Sequence, residues 1–183
     1  MNASDASREN VELAFSFPTS IRKDALIVLS TFPESSHRSK TFKLQVEGEI
    51  VSIPQRIYHD PAQIDTRRLT SIQRELADSL LTRHHDGFIR QYSLSRIIFS
   101  KGLWIPPFVV QLVGEYVVEI LSSIQTALPR LDRVQYRSFV DANPAFLART
   151  QQRAISYWNC YYRHRYHWND YPGKQILDFL NQC

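Results

Sequence analysis

Glycine is scarce in this chain, with five in 183 residues, scattered at positions 48, 87, 102, 114 and 173. Nucleotide-binding loops need clustered glycines, because only glycine lets successive backbone N–H groups close on a phosphate. No such cluster exists, so that class of site is excluded. Cysteine is scarcer, with Cys160 and Cys183 alone, too few for the disulfide framework of a small secreted scaffold. Long apolar runs are missing too. The longest stretch without a charge, Gly102 to Gly114, falls short of the roughly 20 residues a membrane helix needs. The opening MNASDASREN has no apolar signal core, so a cytoplasmic location and no membrane partner are expected. Catalytic signatures are equally absent: no G-x-S-x-G, no Walker motif, no H-E-x-x-H. The sequence therefore leans away from an enzyme, and no cofactor is expected.

What is present is apolar and basic. Hydrophobic residues make up 43% and aromatics 12%, enough for a real core at a length that buries roughly 70% of the unfolded surface. The net charge of +4 is uneven. Residues 1–66 are mildly acidic, whereas 67–101 and 145–183 hold the basic excess. A basic surface attracts acidic partners.

The patterning predicts a mainly α fold with a small N-terminal β-hairpin, α+β overall. It divides into a polar tail over 1–16, a β-containing segment over 17–64 and a helical domain over 65–183. Thr41 to Tyr58 alternates apolar and polar residues around Glu47–Gly48–Glu49, which reads as the hairpin. The run ALIVLS at 25–30 is too short for periodicity to separate strand from helix. Thr70 with Gln73 forms a capping box ahead of Ile72, Leu76, Leu80 and Leu81. Asp86 caps a second helix with an apolar stripe of Phe88, Ile89, Tyr92, Ile97 and Ile98. Pro106 and Pro107 open a helix over about 107–125 that is apolar on nearly every side. Its polar residues Gln111, Glu115, Glu119 and Ser122 fall on one narrow stripe. It is predicted to be the buried centre, with Leu112, Val113, Tyr116, Val117 and Ile120 nearly inaccessible. Pro129 ends it, a short helix spans Val134–Val140, and Asn143–Pro144 starts a long helix running to about Trp168. Tyr171–Pro172–Gly173 interrupts it before a last helix over Lys174–Leu180.

The pattern Asp86-x-x-Ile89-Arg90-x-x-Ser93-x-x-x-Ile97 resembles the second helix of a HEAT-type repeat over about a dozen residues, with Ser93 where that family prefers alanine. In that family an Asp and an Arg near the inter-helix turn stitch neighbouring repeats. The resemblance implies a scaffold that binds partners through its surfaces.

Three constellations carry possible chemistry. On a continuous C-terminal helix, Arg149, Arg153, Ser156, Cys160, Arg163 and His167 share one face, with Ala154, Tyr157, Trp158, Tyr161 and Trp168 opposite. A cationic strip bordered by rings suits phosphate contact and base stacking; a solvated face over an aromatic core is the plainer reading. Cys160, His164 and His167 have C-x3-H-x2-H spacing and are candidate metal ligands that need a fourth, for which His84, His85 or Asp86 would serve. Glu115 and Glu119, one turn apart, are candidates for acid/base work or for pairing with arginines such as Arg90. Together these point first to a non-catalytic protein-binding or scaffold protein. A nucleic-acid-binding protein using Arg149, Arg153, Arg163 and His167 is the alternative, and a metal-binding protein or an enzyme with a dispersed site comes third. A second copy of the chain is a further candidate partner.

Overall fold

The structure is a computed structural model and describes residues 10–35, 37 and 39–182. Residues 1–9 of the expected tail, and Cys183, lie outside the described residues. The fold is mainly α with one two-stranded antiparallel sheet. The chain forms two compact units, Met1–Ile97 and Ile98–Cys183. Among the described residues no helix is long and apolar enough to cross a membrane.

The first unit opens with structure where a polar tail was expected. Residues 10–13 are helical and pass into a 3₁₀ turn, Ala14–Ser16. Leu13, Ala14 and Ser16 are buried, because a short apolar face among polar neighbours is enough to dock a turn. The Ser16 hydroxyl donates to the Ser52 carbonyl at 2.9 Å. The ambiguous run at 25–30 falls in helix α1, Arg22–Leu29. Ala25, Val28 and Leu29 are buried at helical spacing, while Leu26 and Ile27 are exposed.

Strands β1, Thr41–Val46, and β2, Glu49–Pro54, pair with Leu44 opposite Val51 and Phe42 opposite Ile53. Both turn residues, Glu47 and Gly48, have positive φ, the backbone that two-residue hairpin turns of matching twist demand. Leu44, Val46, Val51 and Ile53 point into the core and Ile50 out. Helix α2, Ser71–Leu81, begins with the expected capping box. Leu76, Leu80 and Leu81 are buried, but Ile72 in the first turn is exposed.

Helix α3 spans Gly87–Ile97. Asp86 caps it, with Oδ1 accepting from the Phe88 N–H at 2.7 Å. The expected apolar stripe is partly inverted. Arg90, Ser93, Leu94 and Ile97 are buried, whereas Phe88 and Tyr92 face outward. Arg90 takes the inward position because its Nη1 donates to the carbonyls of His84 and His85, at 2.9 and 2.8 Å. Those acceptors make burial of a guanidinium tolerable. Arg83 is buried the same way, on the carbonyls of Pro54 and Gln55. The turn is clipped to the strand exit by Ile57 N–H to Arg83 carbonyl and His85 N–H to Ile57 carbonyl.

In the second unit the predicted continuous central helix is two helices. α4 is Ile105–Val113 and α5 is Val118–Ala127. Gly114 ends α4, and Val117 is extended at φ −86°, ψ 101°. Apolarity on all sides hides such a break from a periodicity argument. Leu112, Val113 and Ile120 are inaccessible as expected, but Tyr116 is 54% exposed because it sits in the break. Val117 is half-buried there. The polar stripe dissolves with it: Gln111 and Glu115 are buried, Glu119 is exposed.

Helix α6, Arg133–Ala142, is capped by the Asp132 carboxylate. Asn143 stands before α7, Pro144–Tyr157, but its side chain makes no cap; its Nδ2 donates back to the Phe139 carbonyl at 2.9 Å. α7 does not reach Trp168. It widens into a π-helical turn over Trp158–Tyr162, and a 3₁₀ turn over Trp168–Asp170 precedes α8, Pro172–Gln182. α5 packs on α8, and α4 on α7. The core is Phe108, Leu112, Ile120, Leu121, Ile124, Tyr136, Ala154, Ile176 and Leu177.

Candidate functional site

The candidate site lies on α7 and the chain that follows it. Arg149 and Arg153 stand one turn apart, which places them on one face of α7. Arg149 is exposed and Arg153 half-buried. Arg153 is half-buried because its aliphatic stem lies over Gly114, where an added Cβ would meet Arg153 Cβ at 3.6 Å. Arg163 is exposed just past the π turn. Its Nη1 reaches Asn159 Oδ1 at 3.4 Å. Among the described residues none of these three arginines has a carboxylate within ion-pair distance. The reason is compositional: from Asn143 to Asp170 the sole carboxylate is Asp170. The acidic residues Asp132, Asp141 and Asp178 pair with Lys101, Arg137 and Lys174.

The expected face does not extend to His167. The helix ends first, and His167 sits exposed in extended backbone at φ −62°, ψ 150°. The segment 163–167 turns back onto the π turn instead, held by Trp158 Nε1–H donating to the Tyr166 carbonyl at 3.0 Å. Cys160, His164 and His167 are all exposed. Among the described residues no group of three or more potential ligands is placed to hold a metal. Glu115 and Glu119 do not share a helix face either, since α5 begins between them.

The turn-back builds a chain of rings that helical spacing alone did not foresee. Tyr116 and Tyr157 lie 6.0 Å apart, and Tyr157 stacks on Tyr161 at 6.2 Å. Tyr162 joins Tyr161 to Tyr166 and stacks on Tyr171 at 5.8 Å. Trp158 meets Trp168, which stacks on Tyr171. Arg165 lies over the Tyr166 ring at 5.3 Å. The Tyr162 hydroxyl donates to the Tyr116 carbonyl, which fixes the break between α4 and α5 under the ring chain. Burial holds the hydroxyls of Tyr162 and Tyr171 above the ordinary phenol range, with Tyr166 adding in the same direction. These rings therefore stay neutral, and the charge of the surface is carried by its arginines.

Tyr161 is 57% exposed, and Tyr157, Trp158, Tyr162, Tyr166 and Trp168 are half-buried. The surface thus alternates guanidinium groups with ring faces held in place by one another. Guanidinium groups can make charge-assisted contacts with anions, and ring faces can stack on flat partners. Tyr162 and Tyr166 were not among the residues singled out from the sequence, and the density of aromatics in YWNCYYRHRYHW was the one signal for them; Tyr116 was expected in the core and Tyr171 as part of a break. Comparison with family models, with characterised proteins and with solved structures finds no match to this chain.

Proposed function

We propose that this protein is a non-catalytic binding protein and that the arginine–tyrosine surface over 149–168 takes single-stranded nucleic acid. One observation carries the reading: over 149–168, arginines without carboxylate partners flank a chain of mutually contacting, half-exposed rings. Guanidinium groups track phosphates, and ring faces accept unpaired bases regardless of sequence. The exposed free thiol of Cys160 suits a reducing, cytoplasmic setting. A protein-binding scaffold is the second reading. It is favoured by the exposed aromatics of α3 and by the HEAT-like pattern around Asp86 and Arg90.

The test is fluorescence anisotropy with a labelled oligothymidylate or oligouridylate of about twenty nucleotides at low salt. Wild type binds, and the variant Arg149→Ala/Arg153→Ala/Arg163→Ala binds at least tenfold more weakly. Tyr161→Ala, a surface change, keeps its melting midpoint but loses the stacking of one base, worth about 1–3 kcal/mol. No binding by wild type at low salt rejects nucleic acid and leaves the protein-scaffold reading.

A further inference from the structure

The first unit carries a recognition feature of a different kind. A groove of about 460 Å³ runs between α2 and α3, lined on its apolar side by Ile64, Ala77, Leu81, Phe88, Ile89 and Tyr92. Phe88 is 84% and Tyr92 64% exposed. They stand one turn apart on α3, so two large rings flank one groove. Single exposed apolar residues are ordinary, but paired aromatics beside a groove mark an interaction site. Ser93 is fully buried, lines the groove, and its hydroxyl has no hydrogen-bond partner among the described residues.

The charge around the groove selects the occupant. Asp78, the carboxylate in its lining, is neutralised by Arg96, whose Nε donates to Oδ2 at 2.7 Å, and Arg96 also stacks on Tyr92. Arg74 lines the groove, is exposed, and has no carboxylate within ion-pair distance among the described residues. Thr66 lines it as well, and the next two residues are Arg67 and Arg68. Arg67 is taken by Asp65 at 2.9 Å. The mouth is therefore cationic and the interior apolar. A groove between two helices accepts an amphipathic helix through anchors at i, i+3 or i+4. We propose that the α2–α3 groove docks an acidic amphipathic helix of a protein partner, with its apolar anchors between Phe88 and Tyr92 and a carboxylate on Arg74.

The probe is a fluorescein-labelled helical peptide with leucine at i, i+3, i+4 and i+7 and glutamate between, titrated into the full chain. Its counterpart carries lysine for every glutamate. The glutamate peptide binds saturably and the lysine peptide at least tenfold more weakly. Phe88→Ser/Tyr92→Ser, at exposed positions that leave the core intact, weakens the glutamate peptide at least tenfold, and Arg74→Glu weakens it while improving the lysine peptide. Circular dichroism of each variant confirms the fold, and none of these changes alters oligothymidylate binding. Equal affinity for both peptides, no saturable binding at millimolar peptide, or an unchanged double variant overturns the proposal. A concentration-dependent dimer that Phe88→Ser/Tyr92→Ser abolishes also overturns it, because the occupant is then a second copy.

Discussion

His84 and His59 are joined by one hydrogen bond, from His84 Nε2–H to the His59 carbonyl at 3.0 Å. The other His84 nitrogen, Nδ1, accepts from the Asp86 N–H at 3.1 Å, so the ring is neutral with its proton on Nε2. His59 donates from Nε2 to Asn10 Oδ1 at 3.0 Å, and its buried Nδ1 has no partner among the described residues. Asn10 in turn donates to the carbonyls of Leu29 and Phe32. Two buried neutral histidines thus tie the N-terminal turn and the exit of α1 to the turn before α3.

Protonating His84 at Nδ1 removes the acceptor of the Asp86 N–H, and protonating His59 at Nδ1 leaves its bonds in place but buries a charge without a partner. Burial lowers His59 from 6.5 to about 4, with the neighbouring His84 adding to the effect. Burial and then His85 lower His84 as well. A base whose folded pKa is depressed binds fewer protons folded than unfolded, so stability falls as pH drops below 6.5 and levels off below about 4. His59 alone contributes about 3 kcal/mol of loss by pH 4. Urea unfolding from pH 7.5 to 4 measures this, and His59→Gln removes its share of the slope. Parallel pH profiles for wild type and variant would contradict the assignment.

The break between α4 and α5 separates residues that a continuous helix would treat alike. Leu112→Ala and Ile120→Ala each remove a fully buried side chain and cost about 2–5 kcal/mol. Tyr116→Ala, at a 54% exposed position, costs about 1 kcal/mol or less. Thermal melts of the three variants rank them. A Tyr116 variant as damaged as the other two would restore the unbroken helix.

Asp86→Ala removes the acceptor of the Phe88 N–H and costs about 0.5–2 kcal/mol. Neither oligothymidylate nor acidic-peptide affinity changes, because the cap bonds only the Phe88 backbone and leaves the Phe88 and Tyr92 rings and Arg74 in place. A variant with full stability and lost binding would move function to the His84–Asp86 turn.

Most local rules that depend on neighbours in sequence read correctly from this chain, the Asn143 side-chain cap excepted. The Thr70–Gln73 box, the Glu47–Gly48 turn, the Asp86 cap and the prolines at 106 and 107 each act within four residues. What failed needed tertiary information. Arg90 turns inward because two carbonyls await it, which leaves Phe88 and Tyr92 outside. The π turn at Trp158–Tyr162 shifts every later side chain, so the face drawn through Arg149 and Arg153 could not be extended to His167. The arginines of the candidate site were legible from their lack of acidic neighbours, whereas the ring chain that accompanies them depends on the turn-back at 163–167.

The salt dependence of single-strand binding reports the phosphate contacts by number. For single strands, log Kobs falls against log salt with a slope of about −0.7 for each phosphate neutralised. If Arg149, Arg153 and Arg163 each hold one phosphate, replacing all three by alanine makes the slope shallower by about 2, with the oligothymidylate bound more weakly at every salt concentration. An unchanged slope and affinity in the folded triple variant would place the contact surface elsewhere and contradict the proposed role of residues 149–168.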